Sequence, residues 1–176
     1  MTKHIILIGF KSVGKSAIGK ELAKEIGKNF VDLDDEVQKA YALANSENLN
    51  CRQIMLKIGQ EKFRQLEREV LEKVLQSSGQ SVISLGGGTP TLEYNRKLIS
   101  PHAVIQITAP KNIVYERIMV NGRPAFFSPD EHPLDSFNRI WEERSKIYDG
   151  LTKIKIENAG SLDDSVKAIK LLLDRI

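Results

Sequence analysis

The chain carries a single cysteine, Cys51, in 176 residues. That scarcity excludes a disulfide framework and any cysteine-pair metal site, and it suits a reducing compartment. Cys51 itself is expected to be a small buried or partly buried residue. Histidine is nearly as scarce: His4, His102 and His132 lie far apart, in no spacing that suggests a metal centre or a catalytic triad. Long apolar runs are missing too. The longest, such as Ile5 to Ile8 and Ala103 to Ile107, are the size of a strand and too short to cross a bilayer. Neither sign of charge dominates, since 26 basic residues against 23 acidic ones leave a net charge of +3. With no basic cluster interleaved with aromatics, a nucleic-acid partner is not expected. Repeats and low-complexity segments are absent. What remains is a chain of the right length for one α/β domain over residues 1–176, expected in the cytoplasm, away from membranes and as a monomer. The apolar run at the N-terminus leads straight into a motif the mature protein needs, so it is not expected to act as a signal peptide.

That motif is Gly9-Phe10-Lys11-Ser12-Val13-Gly14-Lys15-Ser16, which fits the phosphate-cradling pattern G-x-x-x-x-G-K-[ST] at every fixed position. Its surroundings fit as well. His4 to Ile8 reads as a buried strand, and Ile18, Leu22, Ala23 and Ile26 have helical spacing. A glycine-rich turn between strand and helix presents backbone N–H groups and the positive end of the helix to phosphate oxygens. Lys15 adds a charge for the β- and γ-phosphates, and the Ser16 hydroxyl is placed to ligate Mg²⁺. The motif predicts a nucleoside triphosphate as ligand.

Strands are predicted near Ile5–Ile8, Phe30–Leu33, Ser81–Leu85, Ala103–Ile107 and Lys153–Ile156. Helical patterns separate them, at Lys15–Ile26, Asp35–Ala44, Arg52–Ile58, Glu61–Gln76, Thr91–Leu98, Lys111–Val120, Pro133–Tyr148 and Leu162–Leu173. This alternation implies a parallel sheet covered on both faces. Asn121 to Pro133, with three prolines, Gly122, two adjacent phenylalanines and little periodicity, reads as a long loop. Long loops in compact domains are often functional, and Arg123 makes a lid the natural reading.

Further motifs narrow the chemistry. Phe30-Val31-Asp32-Leu33-Asp34-Asp35 closes the second predicted strand. If the strand continues that far, Asp32 and Asp34 point the same way, one toward a Mg²⁺ water shell and the other toward an acceptor hydroxyl. The competing reading is a helix start at Asp34 and Asp35, with Glu36 in the first turn. Beside the phosphate loop, the catalytic reading is preferred. Gly59-Gln60-Glu61-Lys62-Phe63-Arg64 follows, with Glu67 spaced to pair with Arg64 on a helix. Gly86-Gly87-Gly88 ends a buried-looking strand, where three glycines permit close approach to the backbone at a ligand-binding sheet edge. Arg117, Arg123-Pro124 and Arg144-x-x-x-Tyr148 complete the set. Trp141 is expected to pack on one face of its helix beside Ile140 and Arg144.

In this order the motifs resemble the shikimate kinase family, small relatives of the nucleoside monophosphate kinases, from about Ile5 to Arg175. The resemblance implies a three-layer α/β/α P-loop kinase fold with a five-stranded parallel sheet in the order 2-3-1-4-5. It implies a mobile lid at about 121–133 and a shikimate-binding helical region at about 34–64. The implied reaction is phosphoryl transfer from ATP, with Mg²⁺, to the 3-hydroxyl of shikimate in the aromatic amino acid pathway. By the resemblance, Asp34, Arg64, Gly87 and Arg144 hold shikimate, and Gly86 and Gly88 shape the same wall. Ser12, Val13, Gly14, Lys15, Ser16 and Ala17 surround the ATP phosphates, and Ser16 and Asp32 arrange Mg²⁺. Lys15 and Arg123 carry charge on the transferring group, Asp34 completes the catalytic set, and Arg117 packs against adenine. An adenine loop falls at Asn158-Ala159-Gly160-Ser161. The chain departs from the family pattern at Gln60, where Glu is usual, and in the lid, which reads Arg123-Pro124-Ala125-Phe126-Phe127 in place of R-P-L-L. The arginine pair Arg64 and Arg144 argues for a carboxylate on the acceptor. Gluconate also has one, so another small-molecule kinase such as a gluconate kinase remains the alternative. A nucleotide-binding regulatory module would be expected to lack Lys15, Asp34 or Arg123, and all three are present.

Overall fold

A computed structural model describes residues 4–120 and 122–173. Asn121, the first residue of the expected lid, and Arg175, where the resemblance ends, lie outside the described residues. Five strands, β1 (Ile5–Ile8), β2 (Asn29–Asp32), β3 (Ser81–Ser84), β4 (Ala103–Thr108) and β5 (Lys155–Glu157), form one sheet in the order β2-β3-β1-β4-β5. Every pairing is parallel, with Ile5 opposite Val82 and Ala103, and Phe30 opposite Val82. The predicted order 2-3-1-4-5 is the one observed. β1 is apolar at all four positions because, as the central strand, it is buried on both faces.

Among the described residues, eight α-helices cover the sheet: α1 (Lys15–Glu25), α2 (Leu33–Asn45), α3 (Cys51–Ile58), α4 (Gln60–Leu75), α5 (Glu93–Ile99), α6 (Lys111–Met119), α7 (Pro133–Leu151) and α8 (Leu162–Leu173). They make the outer layers of a three-layer α/β/α fold. Among the described residues no helix is long and apolar enough to cross a membrane. Most predicted elements lie within two residues of the observed ones. The start of α2 differs, and it matters for the site. β2 stops at Asp32, and the helix begins at Leu33, so Asp34 is a helical residue rather than the next position of a strand. Asp32 is the cap: its backbone is extended and its side chain accepts the Asp34 N–H at 3.0 Å.

Three connections gather the chemistry at one edge of the sheet. The phosphate loop follows β1, Asp32 and Asp34 follow β2, and the glycine turn follows β3, all at the carboxyl ends of parallel strands. Gly14 opens α1 with φ +99°, and a Cβ there would strike the Asn158 side chain, so the last loop position before Lys15 needs glycine on both counts. Gly59, φ +85°, is the single residue between α3 and α4 and turns the chain so that α4 carries Phe63, Arg64 and Glu67 back toward the sheet edge.

Candidate active site

A cavity of about 380 Å³ opens at this edge. The phosphate loop lines one side, and the glycine turn, α2, α3 and α4 line the other. Lys15 is buried, and its ammonium donates to the carbonyls of Gly9 (3.0 Å) and Phe10 (2.8 Å). Burial lowers its pKa to about 8, opposed by the nearby carboxylates Asp34 and Asp32. Gly14, Ser16 and Ala17 line the cavity at the start of α1. Ser12, also on its wall, sits in the left-handed region at φ +66°. Val13 is different: its side chain is fully buried, so only its backbone can serve a phosphate.

Asp32 uses both carboxylate oxygens. Oδ1 caps α2, and Oδ2 accepts the Ser16 hydroxyl at 2.5 Å. A hydroxyl and a carboxylate so joined are hard oxygen donors, the set Mg²⁺ takes when nucleotide phosphates and water complete its shell. Asp34 lines the acceptor side, and burial raises its carboxyl pKa to about 6, with Asp32 and Glu67 adding repulsion and Lys15 and Lys11 opposing them. Cys51 is part-buried beneath it, donating to the Asp34 carbonyl at 3.4 Å, and burial pushes its thiol upward.

The three glycines keep room for two side chains and for the phosphate loop. A Cβ on Gly86 would lie 2.7 Å from Asp34 Oδ1 and one on Gly88 2.7 Å from Arg64 Cζ, while one on Gly87 would crowd the Lys11 backbone nitrogen at 3.1 Å, with Arg144 Nη1 in ordinary contact at 3.5 Å. Sequence reasoning assigned the free space to the ligand. Here Asp34, Arg64 and the phosphate-loop backbone occupy it. Arg64 pairs with Glu67 at 2.7 Å, as the i, i+3 spacing predicts, yet Glu67 is 1 % exposed and no surface residue. Its other oxygen accepts the Thr89 hydroxyl at 2.8 Å, so α4 and the glycine turn fix the Arg64 guanidinium from two directions. Arg144 comes from α7, where Phe137, Trp141, Arg144 and Tyr148 recur at helical spacing on one face. The Tyr148 hydroxyl donates to the Gly87 carbonyl at 2.5 Å and ties that face to the turn, while burial raises its pKa to about 12. Gly88→Ala should therefore displace a flexible side chain and leave the backbone in place. Steady-state kinetics should show the acceptor KM raised about tenfold or more, for loss of one charge-assisted contact, with the ATP KM unchanged.

The lid lies over this cavity, and Gly122, Pro124, Ala125 and Phe126 contribute to its wall. Arg123 does not. Its Nη2 donates to the Ser128 and Glu131 carbonyls within the lid, and its Nε is buried without a partner. The placement of Arg123 on the transferring phosphoryl group is therefore not seen here; the loop's own carbonyls hold the guanidinium. Arg117 lines the cavity beside the phosphate loop, with Nη1 3.3 Å from the Ser12 carbonyl. Asn158, of the expected adenine loop, donates to the Val13 carbonyl at 2.9 Å and backs the phosphate loop. Trp141 packs on Phe10 and Phe137.

Two residues of the site escaped sequence reasoning. Arg52, in the first turn of α3, lines the cavity and donates to the Arg123 carbonyl at 2.8 Å, joining the acceptor-side helices to the lid. Nothing local in the sequence marks it, because the contact spans 71 positions. Lys11 lines the cavity between the phosphate loop and the glycine turn; its variable place within the motif concealed it.

Comparison with known proteins agrees with this geometry. Residues 11–173 match the family model described as shikimate kinase. A shikimate kinase from Alkaliphilus oremlandii is 35 % identical over 96 % of this chain and 98 % of its own. The crystal structure of shikimate kinase from Aquifex aeolicus superposes with a TM-score of 0.77 at 32 % identity, covering 97 % of this chain and 96 % of that one. Shikimate kinase from Acinetobacter baumannii in complex with shikimate shares the fold with a TM-score of 0.81 at 24 % identity, over 99 % and 95 %. With its motifs gathered on one cavity and residues 11–173 matched, the chain belongs to the shikimate kinase family, ATP-dependent kinases that transfer phosphate to a hydroxyl.

Proposed function

We propose that this protein, as one kinase domain with a lid, transfers the γ-phosphoryl group of ATP to the 3-hydroxyl of shikimate. One observation carries the acceptor side: Asp34, Arg64 and Arg144 converge on a single cavity with the phosphate loop, each with a glycine of the 86–88 turn beside it. Two guanidinium groups suit a carboxylate, and a carboxylate between them and Lys15 suits a hydroxyl. Arg64 and Arg144 orient the acceptor by its carboxylate. Asp34 accepts the proton of the attacking hydroxyl as the new O–P bond forms and the bond to ADP breaks. Lys15 leaves the Gly9 and Phe10 carbonyls and brings its charge to the β- and γ-phosphates. Ser16 and Asp32 would hold Mg²⁺, which would supply positive charge against the nucleotide phosphates. The lid excludes water that would otherwise take the phosphoryl group.

The test is ADP release in the presence of Mg²⁺, with shikimate, gluconate and nucleoside monophosphates offered separately. Shikimate alone should stimulate turnover. Turnover indifferent to shikimate would remove the acceptor assignment and leave only the nucleotide site.

A further inference from the structure

Arg144 is 8 % exposed, and among the described residues no carboxylate forms an ion pair with it. Two aromatic rings lie within cation–π range of its guanidinium: Phe10 with its centroid 5.3 Å from Cζ, and Phe126 at 5.1 Å. The two rings belong to different parts of the machine. Phe10 is a buried residue of the phosphate loop, packed on Trp141 at 5.0 Å and Phe137 at 5.5 Å, so α7 fixes it. Phe126 is half-buried in the lid and lines the cavity. It is held by an edge contact to Phe127 (5.1 Å, 89°), which anchors the lid in the core.

We propose that Phe126 is a positioning residue for the acceptor, coupling closure of the lid to the orientation of Arg144. This rests on Arg144 holding the acceptor carboxylate. A ring packed on a guanidinium displaces water from it and leaves the in-plane N–H groups to the carboxylate. Lid closure therefore strengthens the grip on the acceptor. By linkage, an acceptor held by Arg144 favours the closed lid to the same degree.

The experiment compares Phe126→Leu and Phe126→Tyr with the unaltered protein, measuring KM for shikimate, KM for ATP and kcat. Phe126→Leu keeps an apolar side chain but loses the ring's quadrupole, and should raise the shikimate KM about fivefold with the ATP KM within about twofold. Phe126→Tyr restores the ring and should stay within about twofold of the original on both. An unchanged shikimate KM in Phe126→Leu would overturn the proposal. So would equal losses in the Leu and Tyr variants, since shape rather than the ring would then be at work. An equal rise in both KM values would overturn it as well, making Phe126 a general part of the lid. In each of these cases the acceptor assignment stands, because the unaltered protein still responds to shikimate. A protein that ignores shikimate would overturn both together.

Discussion

Asp34→Asn should destroy activity and stabilise the protein, in one substitution. On the proposed role of Asp34, the catalytic loss follows from removing the acceptor for the hydroxyl proton, and kcat/KM should fall about 10²–10³-fold. The gain follows from where the carboxylate sits. Burial, with Asp32 and Glu67 close by, raises its pKa from 3.8 to about 6. A carboxyl that binds its proton more tightly in the folded state than in the unfolded chain disfavours folding whenever it must be ionised. The penalty is full above about pH 6, shrinks as pH falls, and is gone below 3.8. That gap corresponds to on the order of 3 kcal/mol at pH 8, or about 5–10 °C in melting temperature for a chain of this size. Asparagine keeps the shape without the charge. The variant should therefore melt higher than the original at pH 8, with the difference reduced to about half near pH 5. The same carboxyl should impose an acid limb near pH 6 on the kcat/KM for shikimate. A limb near 4, or a variant that melts lower at pH 8, would remove the strained carboxylate from this account. Stability given up at the catalytic residue is what a site that must hold charge in an apolar place requires.

The sequence was most legible where one local pattern had one structural solution. The apolar run at Ile5–Ile8, the loop that follows it and the α7 face with Ile140, Trp141 and Arg144 could be read directly, because burial on both faces, a fixed motif and a 3.6-residue period each constrain the fold. Asp32 and Asp34 were legible as a pair beside the phosphate loop but not in their geometry. A two-residue spacing reads as a strand, and only the cap hydrogen bond from the Asp34 N–H shows that the chain had already turned into a helix. The glycines at 86–88 announced close approach, but the approaching groups come from the phosphate loop, α2 and α4, far along the chain. Arg64 and Glu67 looked like an ordinary helical ion pair because their spacing carries no information about depth. Arg52 and Phe126 were beyond reach for the same reason: each acts on a partner that only the folded lid brings near.

The lid arginine gives the second large effect. Arg123→Ala should lower kcat about 10²–10³-fold while moving the shikimate KM only a few-fold, the pattern of an interaction made in the transition state. In the structure its guanidinium is committed to the Ser128 and Glu131 carbonyls, and the Arg52 guanidinium holds its own carbonyl in place. The neighbouring lid residues Gly122 and Pro124 already face the cavity, so the backbone is in position and only the side chain has to turn. Carbonyl oxygens carry partial charge, whereas the γ-phosphate oxygens carry full charge, so a bound nucleotide offers the guanidinium the stronger acceptors. The unpartnered Nε is one more donor that the exchange can satisfy. Arg123→Lys should recover part of kcat, since a point charge still neutralises but cannot fork. If the arginine served only to brace the loop, lysine would fail as badly as alanine, both KM values would rise and kcat would hold. A kcat within threefold of the original in Arg123→Ala would leave Lys15 as the basic residue neutralising the phosphoryl group and make Arg123 a splint for its own loop.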